Sequence, residues 1–414
     1  MLEEESDSIP SVKRINLKVK NRPNNMLGPN SYDIYIGRDL TDIFLDDMES
    51  QKLKKFTILT DENVADAGHL ENEIKALESI NAEVIPLIMP PGEKFKTGKQ
   101  YLDLANKLAE DPRIERSSIL IALGGGVVGD MGGFLAATVK RGLKAYFQKP
   151  TSTVSQSDSS VGGKTGVDTE SGVKNALGVF IQPNGVYIDV NTLRTTRNSD
   201  WLYKAAYHSG LAEIVKYAFS FNPRAVRYLE RNVDGLKNMD LDVVAKALAY
   251  SVKIKRDIVQ QDIGEQGIRA ICNLGHTFGH AFETVANEVL AERDEIFPHG
   301  YAVSVGTVYA AALSMLNPHT GFTHDDFLRE CTLLQKLDLP ISLPVSMFDI
   351  PLERYLKEMS KDKKVEAGNI KFVLQDDVGK MHKVSDGPYG GNYKMGTGRE
   401  IPIEHLEEAF TYVR

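Results

Sequence analysis

Short apolar runs set off by polar and Gly/Pro residues fill the first half of the chain, and long stripes at helical spacing fill the second. Tyr32-Asp33-Ile34-Tyr35-Ile36 alternates with the two-residue period of a half-buried strand, and Lys55–Thr60 follows as another. Ala82–Ile88 and Ser118–Leu123 are further apolar runs of strand length, with helix-like segments near 63–80 and 97–110 between them. Strands alternating with helices predict a parallel α/β sheet. From about residue 197 the spacing is helical, over 224–234, 240–262, 276–291, 300–316 and 324–336. The reading is therefore an extension over 1–30 with one strand around Ile15–Val19, an α/β domain over 31–195 and a helical domain over 196–414. Asp386–Gly398, with Gly387-Pro388 and Gly390-Gly391 inside it, reads as a surface loop.

Composition narrows the class. With 414 residues the chain can bury two cores, and 42% apolar with 26% charged residues is ordinary for a soluble enzyme. No apolar run approaches the roughly 20 residues of a membrane span, so no membrane partner is expected. The net charge of −8 argues against a nucleic-acid partner, which wants a basic face. The acidic opening Met1–Asp7 lacks the apolar stretch of a secretory signal, and only Cys272 and Cys331 occur. A reducing cytoplasm is the expected compartment.

Three motifs carry chemistry. Gly124-Gly125-Gly126-Val127-Val128-Gly129 fits G-x-G-x-x-G after a strand and before the helical run Met131–Val139, an arrangement that aims main-chain amides at a pyrophosphate. The fingerprint's acid some 20 residues later is missing, and Asp61 and Asn63, after an earlier strand, are the alternative ribose partners. Asp158–Gly166 sets a glycine pair around Lys164, which reads as a buried phosphate-facing cation. It is no P-loop, because glycine would have to stand at Asp158.

The third motif is Asn273–His280, which places His276 and His280 one helical turn apart. The metalloprotease pattern fails there, since Thr277 stands where Glu is needed. His299 and Glu213, an acid inside an apolar helix, are further candidate ligands, and two His plus one Glu suits catalytic zinc. Around these motifs gather Arg141, Lys164, Lys174, Lys216, Lys255, Arg269 and Lys363. A chain that is acidic overall needs such a cluster to hold a doubly anionic ligand.

Taken together, GGGVVGD at 124–130, DSSVGGKTGV at 158–167, KNALG at 174–178, SGLAEIVKY at 209–217, IRAICNLGHTFGHAFE at 268–283, HG at 299–300 and KDKKV at 361–365 resemble the 3-dehydroquinate synthases, within the sugar phosphate cyclases. The resemblance implies a Rossmann-like NAD-binding domain, a helical metal- and substrate-binding domain, bound NAD, and zinc with cobalt as the alternative ion. It implies Glu213, His276 and His299 as metal ligands. Asp61, Asn63, Glu93, Lys96, Gly125, Gly126, Val127, Asp130, Thr151, Ser152, Asp158 and Lys174 are the implied NAD site. Lys164, Asn175, Asn273, His280 and Lys363 would bind the phosphate, with Arg141 reaching in from the second subunit of a homodimer. Lys255 and Arg269 would hold a carboxylate, while Asp158 and Lys216 would lie around the metal and the substrate hydroxyls. Asp158, Lys164, Lys216, Lys255, Arg269, Asn273 and His280 make up the implied catalytic set.

The family's reaction turns 3-deoxy-arabino-heptulosonate 7-phosphate into 3-dehydroquinate and phosphate, on the shikimate route to aromatic amino acids. The resemblance leaves alternatives: an aminodehydroquinate synthase, a sedoheptulose 7-phosphate cyclase, or a metal-dependent alcohol dehydrogenase of related fold. In sedoheptulose cyclases the positions of Lys255, Asn273 and His280 typically carry an apolar residue, Asp and Pro, so the resemblance favours a carboxylate-bearing substrate.

Overall fold

The computed structural model describes residues 12–19, 26–171, 173–197, 201–265, 267–291, 296–360, 369–382, 392–394 and 401–414. It divides into two compact units, Met1–Asn198 and Ser199–Arg414.

The first unit is built on a seven-stranded sheet. Its elements are β1 (Val12–Lys18), β2 (Ser31–Gly37), α1 (Thr41–Ser50), β3 (Lys55–Asp61), α2 (Glu62–Asp66), α3 (His69–Ser79), β4 (Glu83–Met89), α4 (Gly98–Glu110), β5 (Ile119–Gly124), α5 (Gly126–Thr138), β6 (Ala145–Pro150), β7 (Lys164–Val167), β8 (Leu177–Phe180) and β9 (Gly185–Asp189). The sheet order is β1-β2-β9-β6-β5-β3-β4, with β7 and β8 forming a separate antiparallel hairpin. The strands from β2 to β4 run parallel, as the alternation predicts.

β1 differs, because it pairs antiparallel with β2 along its whole length. Ile15 and Leu17 turn into the core, while Arg14 and Asn16 donate to the carboxylate of Asp33 at 2.5 and 2.8 Å. One apolar cluster on the sheet centres on Leu59, Leu104, Leu120, Met131 and Leu135, and another on Phe44, Phe56, Ile58, Leu77 and Phe147.

Three boundaries depart from the apolar pattern for physical reasons. The helical segment near 63–80 is two helices, parted at Gly68 with φ +82°, a conformation that glycine adopts without strain. α5 begins at Gly126, five residues before Met131, because the glycine turn itself forms its first turn. β6 escapes a search for apolar runs because it contains Gln148 and Lys149, yet all six of its residues are buried. Lys149 is tolerated there because Glu73 of α3 meets its ammonium at 2.5 Å and the Phe44 ring lies 4.1 Å away.

The second unit is mainly helical: α6 (Trp201–Phe221), α7 (Pro223–Arg231), α8 (Val233–Lys237), α9 (Leu241–Gln261), α10 (His276–Leu290), α11 (His299–Leu316), α12 (His324–Lys336), α13 (Leu352–Met359) and α14 (Ile403–Thr411). Two small hairpins pair β10 (Asn369–Lys371) with β13 (Asn392–Lys394) and β11 (Gln375–Asp377) with β12 (Lys380–Met381). The surface loop expected over 386–398 is thus interrupted by strand β13, and the rest of it lies outside the described residues.

α11 is almost wholly apolar and buried, and it packs against α10 and α6. Glycine sets how close they come. A Cβ on Gly300 would sit 2.1 Å from the Ser209 Cα, and one on Gly306 would sit 2.1 Å from the Gly275 carbonyl oxygen. Among the described residues no helix is long and apolar enough to cross a membrane.

Candidate active site

Three helices of the second unit deliver one cluster. α6 contributes Glu213 and, one turn on, Lys216. His276 opens α10 after Gly275, which takes φ +73°, and His280 follows one turn later. His299 opens α11 immediately after Pro298, whose ring cannot continue a helix backwards.

Glu213 is 1% exposed, and its Oε1 lies 3.3 Å from His276 Nε2 and 3.9 Å from His299 Nε2. The ligand nitrogens of His276, His280 and His299 all fall within 4.8 Å of one another. The far nitrogens are tied back: His276 Nδ1 lies 3.1 Å from the Leu274 carbonyl and His299 Nδ1 lies 2.9 Å from Glu283 Oε2. Both partners are acceptors, so with an ion held at Glu213 each Nδ1 would keep the proton and each Nε2 would present a lone pair to it.

The electrostatics suit a cation. Burial pushes the Glu213 carboxyl up, but Lys216, then His276 and His299, outweigh it and hold the carboxyl well below the usual range. Burial, then the Lys216 cation, press His276 below the usual imidazole range. The set therefore joins one carboxylate and a His276 imidazole held toward its neutral form to two further imidazoles, a donor set that a divalent ion such as zinc accepts. Glu213 Oε2 touches the Lys216 ammonium without an aligned hydrogen bond, which leaves buried acceptor capacity in the site. The residues present fit the metal.

Further cations sit in the same unit. Lys216 Nζ donates to the Cys272 carbonyl at 2.8 Å, in the short 3-10 turn Ile268–Asn273 that also holds Arg269 and Asn273. Arg269 is 2% exposed and Lys255, on α9 packed against that turn, is 7% exposed. Arg269 donates to the Ile263 carbonyl at 2.8 Å, and Asn273 Nδ2 to Ala270 at 2.9 Å. His280 is exposed, and Lys363 lies outside the described residues.

The first unit carries a second constellation. No side chain caps the N-terminus of α5, so the amides of Gly126, Val127 and Val128 open onto the turn. The turn is a cradle that side chains would fill: a Cβ on Gly126 would stand 3.2 Å from Ser159 Oγ, and one on Gly125 would stand 3.3 Å from Ser152 Oγ. Thr151 N donates to the Gly124 carbonyl at 3.0 Å, holding the Thr151-Ser152 corner against it. Asp158 falls in a single π-turn, Ser155–Ser159.

Beside the turn, Lys96 is buried and meets Asp130 at 2.5 Å and Asn175 Oδ1 at 2.7 Å. Burial alone would lower the Lys96 ammonium, but Asp130 and then Glu93 raise it above the usual lysine range. Lys174 bridges Glu93 and Asp168, each at 3.3 Å. Asp61 ends β3 and caps α2 by accepting from Val64 N at 3.0 Å, and the exposed Asn63 follows on that helix. The uncapped turn and its glycine cradle fit a pyrophosphate.

The N-terminal model of 3-dehydroquinate synthase matches residues 86–202, and its C-terminal model matches residues 210–365. Over 367 residues, 87% of this chain and 94% of the relative, the sequence is 40% identical to the 3-dehydroquinate synthase of Shewanella frigidimarina (strain NCIMB 400). The chain belongs to the 3-dehydroquinate synthase family.

Solved structures show the same fold at lower identity. A 2-epi-5-epi-valiolone synthase from Streptomyces hygroscopicus subsp. jinggangensis 5008, with NAD+ and Zn2+ bound, aligns with TM-score 0.75 at 20% identity, covering 95% of this chain and 99% of that one. A 2-deoxy-scyllo-inosose synthase complexed with carbaglucose-6-phosphate, NAD+ and Co2+ aligns with TM-score 0.72 at 21% identity, covering 96% and 99%. The α/β-plus-helical architecture expected from the sequence is borne out.

One expectation for this family member needs correction. Lys164 is exposed, not buried, because it starts β7 at the open end of a hairpin. Arg141 is also exposed and, with Lys140, takes a left-handed backbone, φ +67° and +53°. Two polar partners escaped the sequence reading. Asp168 ties down Lys174 and accepts from the Asn175 amide at 2.6 Å, and nothing in its local sequence marks it. Glu283 had a signal, since it lies seven residues after His276 and so on the same helical face.

Proposed function

We propose that this family member is a 3-dehydroquinate synthase, a carbon–oxygen lyase converting 3-deoxy-arabino-heptulosonate 7-phosphate to 3-dehydroquinate and inorganic phosphate. The observation that carries the substrate choice is the burial of Lys255 and Arg269 in the unit that also holds Glu213, His276 and His299. Both side chains can make charge-assisted hydrogen bonds to an anion, and a carboxylate-bearing substrate supplies one. The alternative seven-carbon sugar phosphate without that carboxylate does not.

NAD supplies a transient hydride acceptor and a divalent ion, zinc or cobalt, supplies Lewis-acid polarisation of substrate oxygens when each is bound. Glu213, His276 and His299 would hold the ion. The α5 turn at Gly125, Gly126 and Val127 would take the pyrophosphate, with Asp61, Asn63, Glu93, Lys96, Asp130, Thr151, Ser152, Asp158 and Lys174 completing the dinucleotide site. Lys255 and Arg269 would neutralise the substrate carboxylate. Lys164, Asn175, Asn273, His280 and Lys363 would bind its phosphate, with Arg141 supplied by the partner subunit of a homodimer. Lys216, braced on the Cys272 carbonyl, supports a donor role toward substrate hydroxyls. The free cysteines, Cys331 buried and Cys272 half-buried, support a reducing cytoplasm as the compartment.

The deciding assay follows phosphate release and absorbance at the NADH band with NAD and zinc supplied. Phosphate release from the heptulosonate phosphate without net NADH is expected. Accumulating NADH would point to an alcohol dehydrogenase, and turnover of sedoheptulose 7-phosphate instead would overturn the substrate choice.

A further inference from the structure

We infer that Glu283 is a positioning residue that retains the divalent ion, acting through His299 and offsetting the charge of Lys216. This rests on the proposed metal site and goes beyond its ligand set. The two ligand imidazoles are held differently. His276 leans on a neutral main-chain carbonyl, that of Leu274, at 3.1 Å. His299 leans on a full negative charge, Glu283 Oε2, at 2.9 Å.

The asymmetry answers a charge problem inside the site. The anionic ligand Glu213 is already paired with Lys216, each side chain 1% exposed, so that pair contributes no net charge toward a cation. A cation entering there meets a lysine ammonium on the far side of its own carboxylate ligand. Glu283, on α10, restores one negative charge behind the His299 ring. Its hydrogen bond also fixes the tautomer that leaves Nε2 bare and raises the basicity of that nitrogen. Glu283 is 28% exposed and His299 37%, so the pair sits at the rim, where the ring would otherwise be free to turn.

Glu283→Gln separates charge from geometry, because the amide oxygen still accepts the Nδ1 proton while the negative charge is gone. Glu283→Asp keeps the charge on a shorter arm. Zinc dissociation constants are read on the full chain by competition with a chelating dye, together with the visible absorption of the cobalt form and the melting of the metal-free proteins.

Glu283→Gln is expected to bind zinc about 10- to 100-fold more weakly, the usual loss for a second partner of a ligating histidine. Its cobalt bands should shift, while metal-free melting stays unchanged and Glu283→Asp recovers most of the affinity. Glu283→Ala is read the same way should the glutamine variant not fold. Wild-type affinity and bands in the Gln variant, or equal losses in Gln and Asp, overturn the inference and leave the metal site standing. A wild-type protein that retains no zinc overturns both.

Discussion

Removing one member of the Lys149–Glu73 pair measures how much the dinucleotide-binding unit depends on a charge hidden in its central sheet. The two residues are 8% and 7% exposed, and Lys149 Nζ lies 2.5 Å from Glu73 Oε2. Glu73→Gln strands the ammonium, for which the Phe44 ring at 4.1 Å is a poor substitute, worth about 0.5–2 kcal/mol. Breaking a buried pair costs about 3–5 kcal/mol, a large share of the roughly 5–15 kcal/mol that holds a domain folded.

The double variant Glu73→Gln/Lys149→Met removes both charges and should be far more stable than the sum of the single losses predicts, a coupling energy above about 3 kcal/mol. A chain of two units need not unfold in one step, so the cycle is best read locally. Hydrogen exchange of peptides from β6 in wild type, both single variants and the double reports the opening free energy of that strand. Single variants costing under about 1 kcal/mol, or a double variant equal to their sum, would refute the reasoning. Because β6 runs into the Thr151-Ser152 corner, the single variants should also bind NAD more weakly.

Other outcomes follow from the second unit. His276→Ala should strip the protein of stoichiometric zinc and of turnover, as metal analysis beside the phosphate-release assay would show; full metal content with activity would remove it from the ligand set. Lys255→Met should lower kcat/KM for the heptulosonate phosphate by about 2 kcal/mol, roughly 30-fold, the usual loss for a charge-assisted contact. Unchanged kinetics would dismiss the carboxylate role. Glu330 is fully buried, accepts from Gln375 Nε2 at 3.0 Å, and is pushed up to about 8, chiefly by burial. The folded state therefore holds a proton that the unfolded state releases near pH 4.5, and stability is lost as pH rises between those values, by at most about 1.4 kcal/mol per unit. Relative to wild type, Glu330→Gln should gain stability from pH 5 to 8 and then level off in urea titrations; parallel curves would show that the carboxyl is not neutral in the fold.

Much of the architecture was legible because burial wrote it into the pattern. β5 is apolar in all but its last residue because both its faces are covered, and α9 and α12 show helical spacing because each buries one stripe. β6 was illegible for the same reason reversed: its Lys149 depends on Glu73, 76 residues earlier, a pairing with no local trace. Glu213 was legible as an acid misplaced in an apolar helix, and His276 by its spacing to His280. Lys164 misled because neighbouring glycines suggest enclosure, whereas here Gly162 and Gly163 turn the chain into the open end of a hairpin. Asp168 acts only through the chain's return to Lys174 and Asn175, which sequence spacing does not encode.

Gly300 leaves α11 no slack against α6, with consequences for redesign. The proposed ligand before it, His299, is located by backbone resting on backbone, so no rotamer can absorb an error there. Even one added methyl at 300 would move the imidazole itself, whereas the neighbouring half-buried Tyr301 can be exchanged without touching that skeleton. Anyone adapting this scaffold to another ion or another sugar has upholstery to trade, and a frame that must be left alone.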